Sequence, residues 1–320
     1  MAATLLISRR LPPAVEQRAS KDYDAHLNQA DEPYSADKLI ALAQGAAALL
    51  VCPGNTVDAA LIGRLPASIK IIATYSVGYD HIDVKAARAR GLVVTNTPEV
   101  LTDATADTAI LLMLAAARRA GEGERILRAG KWDGWKPTQL LGTHVSGKRL
   151  GILGMGRIGQ AVARRARGFD MQIHYSDIRR LPPERELGAT YHPTPEALLP
   201  HADILSLHMP GGADTARFLN AARIALLPQG AIVVNSARGT LVDDDALIAA
   251  LKSGRIAAAG LDVFANEPNL NPGYIGLENA CLLPHLGSAT VETRNAMGFR
   301  ALDNLDAFFA GKTPPDSVTA

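Results

Sequence analysis

Three residues able to handle a proton and an anion occupy one kind of position. Arg238 follows the apolar run Ala231 to Asn235, Glu267 follows the run Ala257 to Val263, and His285 follows Cys281 to Leu283. An imidazole moves protons near neutral pH, and a carboxylate bonded to its second nitrogen fixes its tautomer and stabilises the charged ring. A guanidinium presents a planar fork that suits a carboxylate and polarises a neighbouring carbonyl. Glu267 is therefore the expected partner of His285, with Arg238 as the substrate clamp. Singly, each also fits a solvated loop residue, since ionisable loop side chains mostly face water. The chemistry requires that these strand ends border a ligand.

A ligand is indicated upstream, in KRLGILGMGRIGQAVARRARGFDMQIHYSD, Lys148 to Asp177. Leu150 to Leu153 reads as a buried strand, Gly154, Gly156 and Gly159 form G-x-G-x-x-G, Gln160 to Arg167 continues as a helix, and Gln172 to Ser176 is a second strand ending in an acid. The first glycine permits the tight turn, the second lets backbone approach a pyrophosphate, and the third lets helix and strand pack closely. The phosphates then rest on the unpaired amides of the helix N-terminus. Asp177 can accept from both ribose hydroxyls and repel a 2′-phosphate, which favours NAD. Arg179 and Arg180 follow at once and could clamp that phosphate, which favours NADP. The spacing leaves both cofactors open, with NAD ahead.

The elements that must position these residues follow an α/β pattern. Strand-like runs at Leu5 to Ile7, Ala47 to Val51, Ile69 to Ala73 and Leu92 to Thr95 alternate with helical stretches in the first hundred residues. After Asn96-Thr97-Pro98 a long helix is expected from Asp103 to Arg119, then a glycine- and tryptophan-containing loop from Gly121 to Gly142. Further strands at Ile204 to His208 and at the three runs above extend one doubly wound sheet. A closing helix, Thr290 to Ala310, is expected to return to the first domain. The expected division is 1–98 plus 290–320 as a discontinuous substrate domain and 99–289 as a dinucleotide-binding domain. Asn55, Tyr75 and Ser76, near strand ends, are candidate pocket liners.

At 320 residues and 48% hydrophobic content the chain can build two cores, and a formal net charge of +1 gives no electrostatic reason for nucleic acid or an anionic membrane as partner. Cys52 and Cys281 lie far apart beside apolar runs and read as buried free thiols, so a cytoplasmic setting is expected. No segment approaches the ~20 apolar residues of a membrane span. Asp243, Asp244 and Asp245 precede ALIAAL and read as a helix N-terminus. No metal is expected.

Together, SVGYDHID from Ser76, GMGRIG, VVNSARGTLVDDDAL from Val233, AAGLDVFANEP from Ala258 and LLPHLGSAT from Leu282 resemble the D-isomer-specific 2-hydroxyacid dehydrogenases over nearly the whole chain. The resemblance implies two Rossmann-like parallel-sheet domains with the active-site cleft between them, and a homodimer formed through the nucleotide-binding domains. It implies that Arg238 holds the substrate carboxylate and carbonyl, that His285 exchanges the proton, that Glu267 tunes it, and that the amides of Val77 and Gly78 bind the carboxylate. Asp262 would face the nicotinamide carboxamide, Arg157 and Ile158 would cap the pyrophosphate, and Ser236, Ala237 and Gly287 would line the cofactor site. Trp132 and Trp135 would lie near the dimer interface.

Within the family, SVGYDHID and KWDGWKPTQLLGTHVSGKRLGI are similar to the glyoxylate and hydroxypyruvate reductase branch. That implies reduction of a small 2-oxo acid with NAD or NADP. The stretch YSDIRRLPPE keeps Asp177, unlike many of those reductases. Formate dehydrogenases carry glutamine beside their histidine, where this chain has Glu267. Phosphite or another small acid remains an alternative substrate, and a non-catalytic dinucleotide-sensing scaffold is the alternative from another class.

Overall fold

Apolar runs without polar alternation need cover on both faces, and the computed structural model, which describes residues 2–319, sets them in two all-parallel sheets. The first contains β1 (Thr4–Ile7), β2 (Asp24–His26), β3 (Ala48–Val51), β4 (Ile71–Thr74) and β5 (Val93–Thr95), in the order β2-β1-β3-β4-β5. The second contains β6 (Arg149–Leu153), β7 (Gln172–Ser176), β8 (Thr190–Tyr191), β9 (Ile204–Leu207), β10 (Ala231–Asn235), β11 (Ile256–Leu261) and β12 (Ala280–Leu282). Its order is β12-β11-β10-β9-β6-β7-β8, so the strand order reverses between β9 and β6, where doubly wound sheets bind ligands. Every residue of β3, β4, β9 and β10 is buried.

Two compact units divide the chain. One takes in everything up to Leu101 together with the segment from Ala289 on, and the other spans Thr102–Ser288. In the first, helix Val291–Phe309 lies against helix Pro13–Asp22. A Cβ on Gly298 would come within 2.4 Å of Val15, and Arg18 reaches Asp303 and Asp306 at 2.8 and 2.5 Å. Thr290 caps this long helix by accepting from the Thr293 amide at 3.1 Å, a device that typically contributes about 1 kcal/mol. In the second unit Asp243 caps helix Asp244–Lys252.

One expected loop is instead partly helical. The chain breaks at Arg119, in the left-handed region at φ 52°, and a second helix runs from Ala120 to Arg128. Gly121 and Gly123 argued against helix by propensity. Ion pairs override them: Arg119 forks onto Glu122 at 2.7 and 2.8 Å, and Arg128 pairs with Glu124 one turn away at 2.7 Å.

Burial pushes the Cys52 thiol up to about 12, and it also raises that of the half-buried Cys281. Among the described residues no helix is long and apolar enough to cross a membrane.

Candidate active site

Parallel register puts the useful loops on one edge of the second sheet. Leu153 pairs with Ser176 and Leu207, Asn235 with Leu207 and Leu261, and Leu261 with Leu282. The residues that follow, including Gly154, Asp177, Ser236 and Asp262, therefore leave the same edge.

After β10, buried Asn235 folds the chain back on itself. Its Nδ2 donates to the Arg238 carbonyl at 2.8 Å and its Oδ1 accepts from the Ala237 amide at 3.0 Å. Gly239 then meets the loop after β11 backbone to backbone, since a Cβ there would fall 1.9 Å from the Phe264 carbonyl carbon. Only glycine allows that approach. It brings the Arg238 loop against the loop carrying Glu267.

A fully buried carboxylate organises the loop after β12. Asp262 Oδ1 accepts from the Leu286 amide at 2.6 Å, Oδ2 accepts from the Gly287 amide at 2.8 Å, and the Asp262 carbonyl accepts from the His285 amide at 2.9 Å. His285 has φ 55°, a conformation costing a non-glycine residue about 1–3 kcal/mol unless its surroundings impose it. Asp262 is the group that imposes it. Burial raises the Asp262 carboxyl above its ordinary value, and the two amides partly offset this.

His285 Nδ1 lies 2.7 Å from Glu267 Oε2, while Glu267 Oε1 accepts from the Phe264 amide at 2.9 Å. Burial acts to raise the Glu267 carboxyl, yet the bonds to His285 and Phe264 and the charges of His285 and Arg238 together lower it. Glu267 is thus ionised at neutral pH. Its bond engages Nδ1, so proton transfer to a substrate falls to His285 Nε2. The sequence-predicted Arg238, Glu267 and His285 come together on one edge.

The glycine-rich segment fits a dinucleotide pyrophosphate. Gly154 turns at φ 92°, and a Cβ on Gly159 would meet the Gly154 carbonyl oxygen at 2.2 Å, so helix and strand touch there. Gly156 caps helix Arg157–Ala166 without a side-chain bond, and a Cβ on it would meet nothing within 4 Å. The first amides of that helix therefore adjoin open space suited to an anion. Two enclosed polar atoms near the same edge, Ser236 Oγ and His208 Nδ1, have no hydrogen-bond partner among the described residues. Burial lowers His208 to about 4, so this ring is neutral.

The two signals on the cofactor's adenosine end separate in the structure. Asp177 Oδ2 accepts from the Met155 amide at 2.6 Å, which ties the acid to the glycine turn. Arg180 instead forks onto Glu186 at 2.9 and 3.1 Å and lies over the Tyr191 ring. Glu186 also accepts from Tyr175 Oη at 2.7 Å. Arg179 is exposed.

In the first unit, Val77 and Gly78 follow β4 in a half-exposed turn. Of the candidate liners nearby, Asn55 Oδ1 accepts from Ser8 Oγ at 2.7 Å and Tyr75 donates to the Arg294 carbonyl, so both are internal struts. Sequence reasoning missed Asn235, Asn96 and His208. The sole signal for the two asparagines was their place at the ends of apolar runs.

Known proteins are similar to this chain over nearly its whole length. The model of the D-isomer specific 2-hydroxyacid dehydrogenase NAD binding domain matches residues 110–287. Glycerate dehydrogenase of Hyphomicrobium methylovorum is 47% identical over 309 residues, covering 96% of each chain. A crystal structure of a D-isomer specific 2-hydroxyacid dehydrogenase from Polaromonas sp. JS6 66 superposes with a TM-score of 0.94 at 46% identity, covering 99% of this chain and 100% of that one. The NADPH-dependent glyoxylate/hydroxypyruvate reductase of Sinorhizobium meliloti, in complex with NADP and malonate, gives a TM-score of 0.89 at 37% identity over 99% and 97% of the two chains.

Proposed function

Because this chain belongs to the D-isomer specific 2-hydroxyacid dehydrogenases, we propose that it reduces a small 2-oxo acid, glyoxylate or hydroxypyruvate, to the corresponding 2-hydroxy acid. The observation that carries this reading is the 2.7 Å bond between His285 Nδ1 and an ionised Glu267, beside Arg238 on the ligand-binding edge of the sheet.

A nicotinamide dinucleotide held there would supply the hydride to the carbonyl carbon. Arg238 holds the carboxylate and polarises the carbonyl, and the amides of Val77 and Gly78 add donors to the carboxylate. His285 gives a proton from Nε2 to the carbonyl oxygen as it becomes a hydroxyl, and Glu267 stabilises the protonated ring before that transfer. Asp262 acts through the turn that sets His285 and Gly287. Gly154, Gly156, Arg157, Ile158 and Gly159 hold the pyrophosphate, with Ser236 and Ala237 along the cofactor.

NAD is the favoured cofactor. Asp177 is anchored where its other oxygen can accept from ribose hydroxyls, while Glu186 neutralises Arg180, one of the two cations expected to grip a 2′-phosphate. The chain acts as a homodimer: Leu127, Trp132, Trp135 and Leu141 in the second unit are 61, 53, 81 and 66% exposed, an apolar surface suited to a second copy. Light scattering at micromolar concentration should give twice the 33.8 kDa chain mass.

Initial rates with NADH and NADPH, each against glyoxylate, hydroxypyruvate and a bulkier 2-oxo acid, test the function. Turnover of the two small acids, faster with NADH, is expected. Silence across the panel with dinucleotide still bound would reject it.

A further inference from the structure

Three consecutive carbonyls after β4 are each held by a different donor of the first unit. The Thr97 amide donates to the Ser76 carbonyl at 2.9 Å, Asn96 Nδ2 to that of Val77 at 2.7 Å, and Ser76 Oγ to that of Gly78 at 2.6 Å. In a trans peptide the N–H points opposite to the C=O. Fixing the Ser76 carbonyl therefore aims the Val77 amide, and fixing the Val77 carbonyl aims the Gly78 amide. The first is set by backbone. The second depends on one side chain, Asn96.

Asn96 is itself braced from the chain's last segment. It is buried, its carbonyl accepts from Asn304 Nδ2 at 3.3 Å, and its amide donates to the Asp316 carbonyl at 3.3 Å. Asn304, fully buried, also donates to Asp316 Oδ2 at 2.9 Å and accepts from the Asp316 amide at 3.0 Å. Arg300 completes the brace by forking onto the Asp316 carboxylate at 2.6 and 2.8 Å, which holds that carboxyl's partner arginine above its ordinary value. Thr95 pairs with Ser317, and the Val318 amide donates to the Val94 carbonyl at 2.8 Å, so the segment is sewn to β5 immediately before Asn96.

We propose that Asn96 is a positioning residue that orients the Gly78 amide toward the substrate carboxylate, and that Asn304, Asp316 and Arg300 keep Asn96 in place. The inference rests on the reading that the Val77 and Gly78 amides bind that carboxylate. A network that served only to hold the fold together would not discriminate between substrate and cofactor. The role proposed for Asn96 shows in the constant for the substrate and not in that for the cofactor.

Steady-state kinetics with glyoxylate and NADH test it. Asn96→Ala should raise KM for glyoxylate about ten-fold, leaving kcat within about two-fold and KM for NADH unchanged. Asn304→Ala should raise it about three-fold, and the double variant should be no worse than Asn96→Ala, because both losses pass through one peptide. An unchanged KM for glyoxylate in both variants, additive losses, or a fall in kcat accompanied by a rise in KM for NADH would overturn the proposal. Should Asn96→Ala lack a cooperative melt, Asn304→Ala alone carries the comparison.

The underlying reading is checked separately by NMR on protein labelled with ¹⁵N-glycine and titrated with oxamate in the presence of NADH. The Gly78 amide resonance should shift in the wild type. Absence of a shift there removes the carboxylate reading and the proposal with it. A shift in Asn96→Ala with the wild-type concentration dependence removes only the role of Asn96.

Discussion

The two flanks of the second sheet do different work with different parts of the chain. On the β10–β12 flank the proton-handling side chains are fixed by other groups: His285 by Glu267, Glu267 by the Phe264 amide, and the His285 turn by Asp262. On the β6–β8 flank the ligand-facing groups are mainly backbone amides shaped by Gly154, Gly156 and Gly159, and several charged side chains are paired among themselves. Arg149 forks onto Asp203, Arg165 onto Asp103 and Asp107, and Arg180 onto Glu186. Proton transfer needs an atom at one place in one protonation state, whereas an anion is held by summed dipoles. Single side-chain changes should therefore be severe on the first flank and graded on the second.

The largest effect expected is from His285→Ala, which should lower kcat by about 10²–10⁴-fold without altering dinucleotide affinity measured by fluorescence titration. Retained turnover would assign the proton to another group. Glu267→Gln should cost less, about 10²-fold in kcat. The lowered carboxyl of Glu267 keeps it anionic across neutral pH, and the neutral amide cannot stabilise a protonated ring, so reduction by the variant should fall off at a lower pH than in the wild type. An unshifted pH profile would reduce Glu267 to a spacer. Arg238→Lys should raise KM for the 2-oxo acid about ten-fold, because a point charge replaces the fork.

The β6–β8 flank should respond by preference rather than by loss. Asp177→Ser is expected to improve the NADPH to NADH ratio of kcat/KM by about ten-fold, by removing a charge that repels the 2′-phosphate. Arg180→Ala should leave that ratio nearly unchanged, since Glu186 already holds the guanidinium. Glu186→Gln sharpens the point: it releases Arg180 and should move the ratio toward NADPH. If Arg180→Ala alone abolished NADPH use, the ion pair would not be what governs selectivity.

Much of this was legible because the sequence carries the physical causes locally. Unbroken apolar runs such as Ile204 to Leu207 and Ala231 to Asn235 mark strands covered on both faces, and G-x-G-x-x-G between strand and helix has one economical explanation. Arg238, Glu267 and His285 were visible from their place after such runs. What stayed hidden depends on partners distant in sequence. Nothing in TNTP announces that Asn96 meets Val77 and Asn304, and nothing in IRRLPPERE says which of its three arginines Glu186 takes. Helix Ala120–Arg128 was hidden for a third reason: two glycines outweighed ion pairs that form only once the helix exists.

The smallest expected effect again separates the flanks. His174 on β7, His192 just after β8, and His201 form a cluster at the sheet edge, with His174 Nδ1 and His192 Nε2 3.0 Å apart and ring centroids separated by 5.0–5.5 Å. Burial first, then the neighbouring histidines and Arg149, lowers His174 against the opposing pull of Asp203, and burial with His201 lowers His192. A lowered value in the folded state means that the unfolded chain binds protons more readily. The cluster's contribution is therefore whole above the ordinary histidine value of about 6.5 and is lost as pH falls from there through the lowered folded values. His192→Gln keeps a hydrogen-bonding side chain but cannot titrate, so its Tm should drop about 2–4 °C less than that of the wild type between pH 7.5 and pH 5. Hydrogen exchange at pH 5 should locate the loss at β7 and β8, while β11 and β12 keep their protection. Equal loosening of both edges would show that acid acts on the whole unit, and the two flanks would then differ in chemistry but not in stability.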